Sequence, residues 1–441
     1  MLRKTLAILL SAWCALASCA QSNLDIDTLI ILSDTVSIYQ IEPRPMRSLT
    51  LPECALPDSN FLRLPSENTA EMQLFMEKMD SVLLFGKGRV NILHIGGSHV
   101  QADIYTHIFR QNIDSLNGEL MPPRGLIFPY TIAHTNNPSN YKVRYGGEWQ
   151  ASRNALKQFF PPQGACGILA YTTDTTAWFS IDLNPDSTIR WTTNKLHLIG
   201  KAMNGHCQPL LQIDDTTLIA PQPEPTGYLF SIPEARSMFT IKLQFDTIGE
   251  QQPDTFVVSG LLPDNDEPGI VYSTIGVNGA SVPSYLGCVN FERDLSLLKP
   301  DLAIFAIGIN DATASNFTDS LFVSNYDTLL THIRNVSPQC AFIFITNNDS
   351  FKRIRRNRYV VNKNGLVAQQ GFYQLAEKWH APVWDLFEIM GGLGSMQKWQ
   401  TNHLAQKDKV HFTREGYSVI GQLFFDAFLD YYLNYDISTE Q

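Results

Sequence analysis

Near the C-terminus stands a segment, Asp408-Lys409-Val410-His411, whose acid and histidine are three residues apart and can face one nucleophile from a single loop. The nucleophile candidate is Ser98, in Ile92-Leu93-His94-Ile95-Gly96-Gly97-Ser98-His99. A serine hydroxyl is a weak nucleophile near neutral pH and needs a base within hydrogen-bond reach, and that base needs an orienting partner. His411 suits the first role and Asp408 the second. Two further segments offer donors for an oxygen that gains negative charge. Gly276-Val277-Asn278-Gly279-Ala280 provides the N–H of Gly279, with no Cβ in the way. Ala303-Ile304-Phe305-Ala306-Ile307-Gly308-Ile309-Asn310-Asp311 provides the side-chain N–H of Asn310. With the N–H of Ser98 these make three donors, the chemistry of an oxyanion hole for acyl transfer.

Such groups must be held at the ends of strands, and the pattern supplies the strands. Val90 to Ile95 is an apolar run that closes on two glycines and the serine, followed by a predicted helix from about Asp103 to Leu116. Before it, Met72, Phe75, Met76, Met79, Val82 and Leu83 recur at helical spacing, with Ser66 or Asn68 as the expected cap. From about Pro129 to Leu262 the helical period gives way to short alternating runs. These include Tyr141–Tyr145, Gly167–Tyr171, Ala177–Leu183, Thr188–Thr192, Leu196–Gly200, Met238–Phe245 and Thr255–Leu261, a density that predicts a β-sandwich. Strand and helix then alternate again, with strands at 269–272, 302–307, 341–346 and 382–384 and helices at 321–333, 366–379 and 415–432. This order implies an α/β domain, its site at the C-terminal ends of the strands, interrupted by an inserted β domain.

The four segments together resemble the SGNH hydrolases, or GDSL-type esterases. Ser98 matches the nucleophile of that family, Gly279 and Asn310 its oxyanion-hole positions, and Asp408 and His411 its Asp-x-x-His. The resemblance implies a flavodoxin-like α/β/α sandwich and a Ser-His-Asp triad. A narrower likeness is to bacterial peptidoglycan O-acetylesterases, through Gly-x-Ser-His, through 268–280 and through Gly308-Ile309-Asn310-Asp311-Ala312. Members of that group carry a carbohydrate-binding-module-like β domain between the first and second segments, where this chain has its β-rich block. One departure stands out: Gly97 precedes the serine where the family usually has Asp. The resemblance implies an O-acetylated glycan as substrate, most of all peptidoglycan. Another polysaccharide, acyl transfer between sugars, or a decayed glycan-binding lipoprotein are the alternatives.

The expected organisation is a signal peptide at 1–20, an extended leader at 21–65, the hydrolase domain at 66–128 and 263–441, and the β-rich insert at 129–262. Arg3 and Lys4 precede an apolar stretch from Leu6 to Leu16, which reads as a secretory signal. Leu16-Ala17-Ser18-Cys19 reads as a bacterial lipobox that would leave Cys19 lipidated, and Ser18-Cys19-Ala20 also fits ordinary cleavage. Either way the chain is expected outside the cytoplasm, in the periplasm or anchored to the outer membrane. A net charge of −10 argues against nucleic acid or anionic membrane surfaces as partners, leaving a lipid anchor as the only membrane link. Oligomeric state is open. Beyond Cys14 and Cys19 the cysteines number five, an odd count with no CxxC pair, so two disulfides at most are expected and no zinc framework. No cofactor or metal is implied.

Other residues invite sharper readings than they merit. His99 adjoins the nucleophile, but adjacency points it away from Ser98 and favours packing or a substrate-facing place. His94 reads as core and His403 as loop. Asp103 reads as a helix-start acid and Asp385 as a strand-end acid. Trp149, Trp178 and Trp191, with Tyr141 and Tyr145, either stack on sugar rings or fill the core of the β block.

Overall fold

The computed structural model describes residues 29–31, 34–36, 50–64, 69–156, 161–185, 190–246, 253–356 and 358–435. The signal segment with Cys19, most of the leader, and the expected caps Ser66 and Asn68 lie outside these residues.

Five parallel strands form the centre: Arg89–Gly96, Gly269–Gly276, Leu302–Ala306, Ala341–Ile345 and Val383–Trp384. Numbered along the chain, their order across the sheet is 2-1-3-4-5, the flavodoxin-like winding. The strand Arg89–Gly96, which leads to Ser98, lies between the second and third strands, where the winding reverses. Its residues from Val90 to Ile95 are buried on both faces except Asn91, which explains the unbroken apolar run. Leu62–Arg63, from the segment expected to be a plain leader, adds an antiparallel sixth strand beside Val383–Trp384.

Helices cover both faces. Helix Ala70–Phe85 starts where Thr69 accepts the N–H of Met72 at 3.2 Å, a cap worth about 1 kcal/mol. It ends at Gly86, whose φ of 61° continues into a left-handed cap. Its buried stripe of Met72, Phe75, Met76, Met79, Val82 and Leu83 packs with the closing helix Arg414–Asn434 and with Tyr105 and Phe109. Truncating Met76, which is fully buried, to alanine would cost about 2–5 kcal/mol. Among the described residues no helix is long and apolar enough to cross a membrane.

Between the first and second parallel strands the chain builds two antiparallel sheets. One holds Lys142–Gly146, Trp178–Asp182, Cys207–Gln212, Leu218–Ile219 and Met238–Phe245. The other holds Gln150–Arg153, Ile168–Thr172, Thr193–Ala202, Gln222–Glu224, Gly227–Arg236 and Phe256–Asp264. Phe179, Ile241 and Leu211 from the first meet Leu196, Phe230 and Val258 from the second in one core, which runs on without a break to Ile275, Val277 and Phe305 of the α/β sheet. The block is therefore fused to the α/β sheet through shared apolar packing. A buried ion cluster adds to the join. Asp103 pairs with Arg110 and Arg124 and accepts from Asn140, and Arg124 lies over the rings of Trp191 and Tyr141. Burial alone would push the Asp103 carboxyl up, but the two guanidiniums hold it well below the usual range.

The structure departs from the sequence expectations at several places. The helix expected from Asp103 to Leu116 runs from Tyr105 to Asp114, and a separate single turn at Ser98–Gln101, not anticipated, precedes it, with Asp103 between them at a φ of 45°. The strand expected at Thr188–Thr192 is absent from its described part, and the strand proper begins at Thr193. A hairpin of Phe351–Arg355 and Arg358–Val361, not anticipated, projects after the fourth parallel strand. Trp149, Trp191 and Tyr141 are core residues, each 4% exposed or less, and so closed to a sugar ring, whereas Trp178 and Tyr145 reach the surface. The five described cysteines are all unpaired.

Candidate active site

Ser98 opens the one-turn helix that follows the nucleophile strand. The first backbone N–H groups of a helix have no intrahelical acceptor, so the N–H of Ser98 is free to face a ligand. Helix and second strand touch closely here. A side chain at Gly276 would enter the space of the Gln101 backbone nitrogen, so only glycine lets the turn sit this low.

Ser98 Oγ lies 2.7 Å from His411 Nε2, and His411 Nδ1 lies 2.7 Å from Asp408 Oδ2. The loop that carries the pair is tightly wound. Asp408 Oδ1 accepts the N–H groups of Val410 and His411 at 3.0 and 3.1 Å, Gln406 N–H donates to His411 O at 2.7 Å, and Thr413 caps the closing helix through Gly416. Lys409 takes a left-handed φ of 57° to make the turn. Burial pushes the Asp408 carboxyl up, but the hydrogen bonds from His411 and from the two backbone N–H groups outweigh it and bring it down to about 2. Asp408 is thus an anion near neutral pH, and its bond to Nδ1 of His411 fixes that nitrogen as the protonated one. Nε2 is then left to accept from Ser98.

Gly279 sits in the turn after the second strand at a φ of 84°, a conformation that a side chain would strain. Among the described residues its N–H donates to no backbone acceptor. Asn310 follows the third strand and donates one N–H to Ala280 O at 2.8 Å, which ties its amide to the Gly279 turn. All five residues singled out in the sequence therefore meet at the C-terminal edge of the sheet, beside the point where its winding reverses.

The chain was compared with known proteins. Residues 245–419 match the GDSL-like Lipase/Acylhydrolase family. The match takes in Gly279, Asn310, Asp408 and His411, and it leaves out Ser98, which the inserted β sheets separate from the rest. Residues 245–419 thus form a hydrolase domain of the GDSL-like type. A solved structure titled "Peptidoglycan O-acetylesterase in action, 5 min" shares its fold over 81% of this chain and 95% of its own, with a TM-score of 0.66 and 21% identity. A lipase/acylhydrolase from Enterococcus faecalis, at 23% identity, covers 36% of this chain and 75% of its own with a TM-score of 0.28. No curated protein matches the sequence. The reaction class is carboxylic ester hydrolysis.

Around the centre of this SGNH hydrolase the structure adds residues that the sequence did not mark. Gln101 is buried, and its Oε1 accepts the N–H of Asn278 at 2.7 Å. Its Nε2 donates to Thr135 Oγ1 and to Asn136 O and Oδ1, each at 3.2 Å, and Asn278 Nδ2 donates to Asn136 Oδ1 at 2.7 Å. A polar brace thus runs from the nucleophile helix through the turn of Gly279 to the first residues of the insert. Only the spacing of Gln101, three after Ser98 on the same turn, could have hinted at it.

His99 packs its ring 5.1 Å from that of His411 and shares a 2.8 Å hydrogen bond with Tyr417 Oη. Burial, and then the neighbouring His411, bring its pKa down to about 3, so it stays neutral and is no rival base. His94 is core, sharing hydrogen bonds with the Tyr272 and Tyr105 hydroxyls. Asp385 caps the helical turn at Leu386–Ile389. The departure at Gly97 is not forced by space. A Cβ there would lie 3.5 Å from Ala280 O and 3.5 Å from Asn310 Nδ2, ordinary contacts, at a φ of −101°. Among the described residues no group of three His, Cys, Asp or Glu side chains is placed to hold a metal ion.

Proposed function

We propose that this hydrolase is an exported serine esterase that removes O-acetyl groups from a cell-envelope glycan, peptidoglycan foremost. The observation that carries the reading is the unbroken hydrogen-bond chain from Ser98 through His411 to Asp408, set beside Gly279 and Asn310. Ser98 Oγ attacks the acetyl carbonyl while His411 Nε2 takes its proton. The developing oxyanion is held by the N–H groups of Ser98 and Gly279 and the amide of Asn310. His411 returns the proton to the sugar oxygen as it leaves. Water then repeats the sequence on the acetyl-enzyme and releases acetate. Asp408 holds the imidazole in the right tautomer and offsets the positive charge it gains.

The glycan rests on the sequence likeness to peptidoglycan O-acetylesterases and on a shared fold that extends across the β insert. Export rests on the N-terminal segment, with Cys19 as the site of a lipid anchor. The test is acetate release from purified O-acetylated peptidoglycan and, beside it, from acetylated xylan. Wild type is expected to release acetate from the first, and Ser98→Ala to fall by at least about a thousandfold while melting as wild type does. Wild-type activity in Ser98→Ala would refute the nucleophile, and release from xylan alone would refute the substrate.

A further inference from the structure

The chain as a whole is acidic, yet residues 350–376 contain no Asp or Glu and carry Lys352, Arg353, Arg355, Arg356, Arg358 and Lys363. Five of these six belong to the hairpin of Phe351–Arg355 and Arg358–Val361, and all five reach the surface, the four arginines fully so. Among the described residues none of the five makes an ion pair, so the charge is not spent within the fold. Such a local excess of one sign in a chain of net charge −10 marks a surface with an anionic partner.

The hairpin is rooted on the loop that carries Asp408 and His411. Phe351 N–H donates to Lys409 O at 3.1 Å, and the Lys409 ammonium lies 4.9 Å from the Phe351 ring and 5.6 Å from that of Tyr359. Asn348, just before the hairpin, donates to Val410 O at 3.0 Å. Whatever the arginines hold is therefore held beside the site of hydrolysis.

We propose that this hairpin is an electrostatic arm that binds a carboxylate-bearing glycan and feeds its acylated sugars to Ser98, a proposal that rests on the glycan esterase reading above. The cations are strung along strands of five and four residues, on the order of 17 Å, rather than converging on one point. That spacing suits a polyanion with repeating charges better than a single small anion. A lipid surface fits less well, because among the described residues of the hairpin only Ile354 and Val360 are exposed apolar side chains, and neither is the aromatic or leucine that anchors at an interface. Peptidoglycan, with its peptide-stem carboxylates, has the required chemistry.

The test is co-sedimentation of the full chain with insoluble peptidoglycan sacculi, with microcrystalline cellulose as a neutral glycan and with vesicles of anionic phospholipid, at low and high salt. It is run in the Ser98→Ala background so that binding is read without turnover. Compared are that protein and one with Arg353→Gln, Arg355→Gln, Arg356→Gln and Arg358→Gln added. The parent should bind sacculi at low salt, lose the binding at high salt, and ignore cellulose. The added substitutions should weaken binding by about tenfold or more, with an unchanged melting temperature. Equal binding by both proteins would overturn the arm. So would hairpin-dependent binding to vesicles but not sacculi, which would make it a membrane contact. Hairpin-dependent binding with no acetate released by wild type would leave the arm standing and sink the esterase reading alone.

Discussion

Gln101 Oε1 accepts the backbone N–H of Asn278 at 2.7 Å, joining residues 177 positions apart. This bond fixes the Val277–Asn278 peptide, and through it the turn that presents the Gly279 N–H assigned to the oxyanion in the proposed scheme. An oriented donor acts in the transition state more than in the ground state, because only there does the oxygen carry full charge. Gln101→Leu should therefore lower kcat by about tenfold to a hundredfold, with KM for a small acetyl ester nearly constant. Gln101→Glu keeps the acceptor for Asn278 but loses the donors to Thr135 and Asn136, and should retain more activity than the leucine variant. Equal losses in the two variants would show a packing role instead.

Asn310 is a direct donor in the proposed scheme, and its loss should be larger. Asn310→Ala is expected to reduce kcat by about 10²–10³, or about 3–4 kcal/mol of barrier. Its amide also holds Ala280 O, so a crystal structure or melting curve must show the Gly279 turn in place. A variant that loses affinity for substrate but keeps kcat would place Asn310 in ground-state binding only.

The legible parts of this chain are those where one local pattern decides the structure. The parallel strands read as apolar runs because their residues are covered on both faces, as at Ala341–Ile345, where all five are buried. Ser98, Gly279 and Asn310 could be named because each lies where such a run stops, and Asp408 and His411 because an acid and a histidine three residues apart can act from one loop. The turn at Ser98–Gln101 and the left-handed Asp103 that follows it were not legible, because Asp103 is held by Arg124, 21 positions on, as well as by Arg110. Trp149 and Trp191 could not be told from sugar platforms, since their burial is fixed by strands tens of residues away. Net charge is legible from sequence, but not where the charges gather. A chain-wide sum of −10 averages over the basic hairpin, and only its place beside Lys409 reveals a local field of opposite sign.

Asp408 is held ionised to about pH 2, below its unfolded value of about 4. Its folded pKa is depressed, so the stability it contributes is complete above about pH 4 and is lost as pH falls through about 2. Over the working range the carboxylate should then add no break of its own to the pH dependence of kcat/KM. Asp408→Asn keeps a side chain of the same shape but allows the wrong imidazole tautomer, and kcat should drop by about 10³–10⁴. The check is a pH–rate profile of both proteins on a small acetyl ester. An asparagine variant within tenfold of wild type would leave Asp408 as loop scaffold through its bonds to Val410 and His411.

Asp114 allows a stability test away from the site. It closes the helix Tyr105–Asp114, where the macrodipole disfavours an anion, and its Oδ1 is buried with no hydrogen-bond partner among the described residues. Burial raises its pKa to about 7, with Arg110 and Arg124 recovering only part of the cost. A folded pKa above the unfolded value near 4 means that the neutral acid is the form the fold prefers. The contribution of Asp114 is thus full below about pH 4 and is lost as pH rises through about 7. Asp114→Asn keeps the shape without the charge. It should be close to neutral at pH 4 and stabilising by about 1–2 kcal/mol at pH 8, since the residue is partly open to solvent and solvent tempers the full shift. In a domain of this size that is a rise in Tm of a few degrees, on the order of 2–4 °C per kcal/mol. Other groups titrate over the same range, so the quantity to read is the difference between variant and wild type at each pH. A difference that stays flat from pH 4 to pH 8 would show that Asp114 is ionised at no cost in the folded chain.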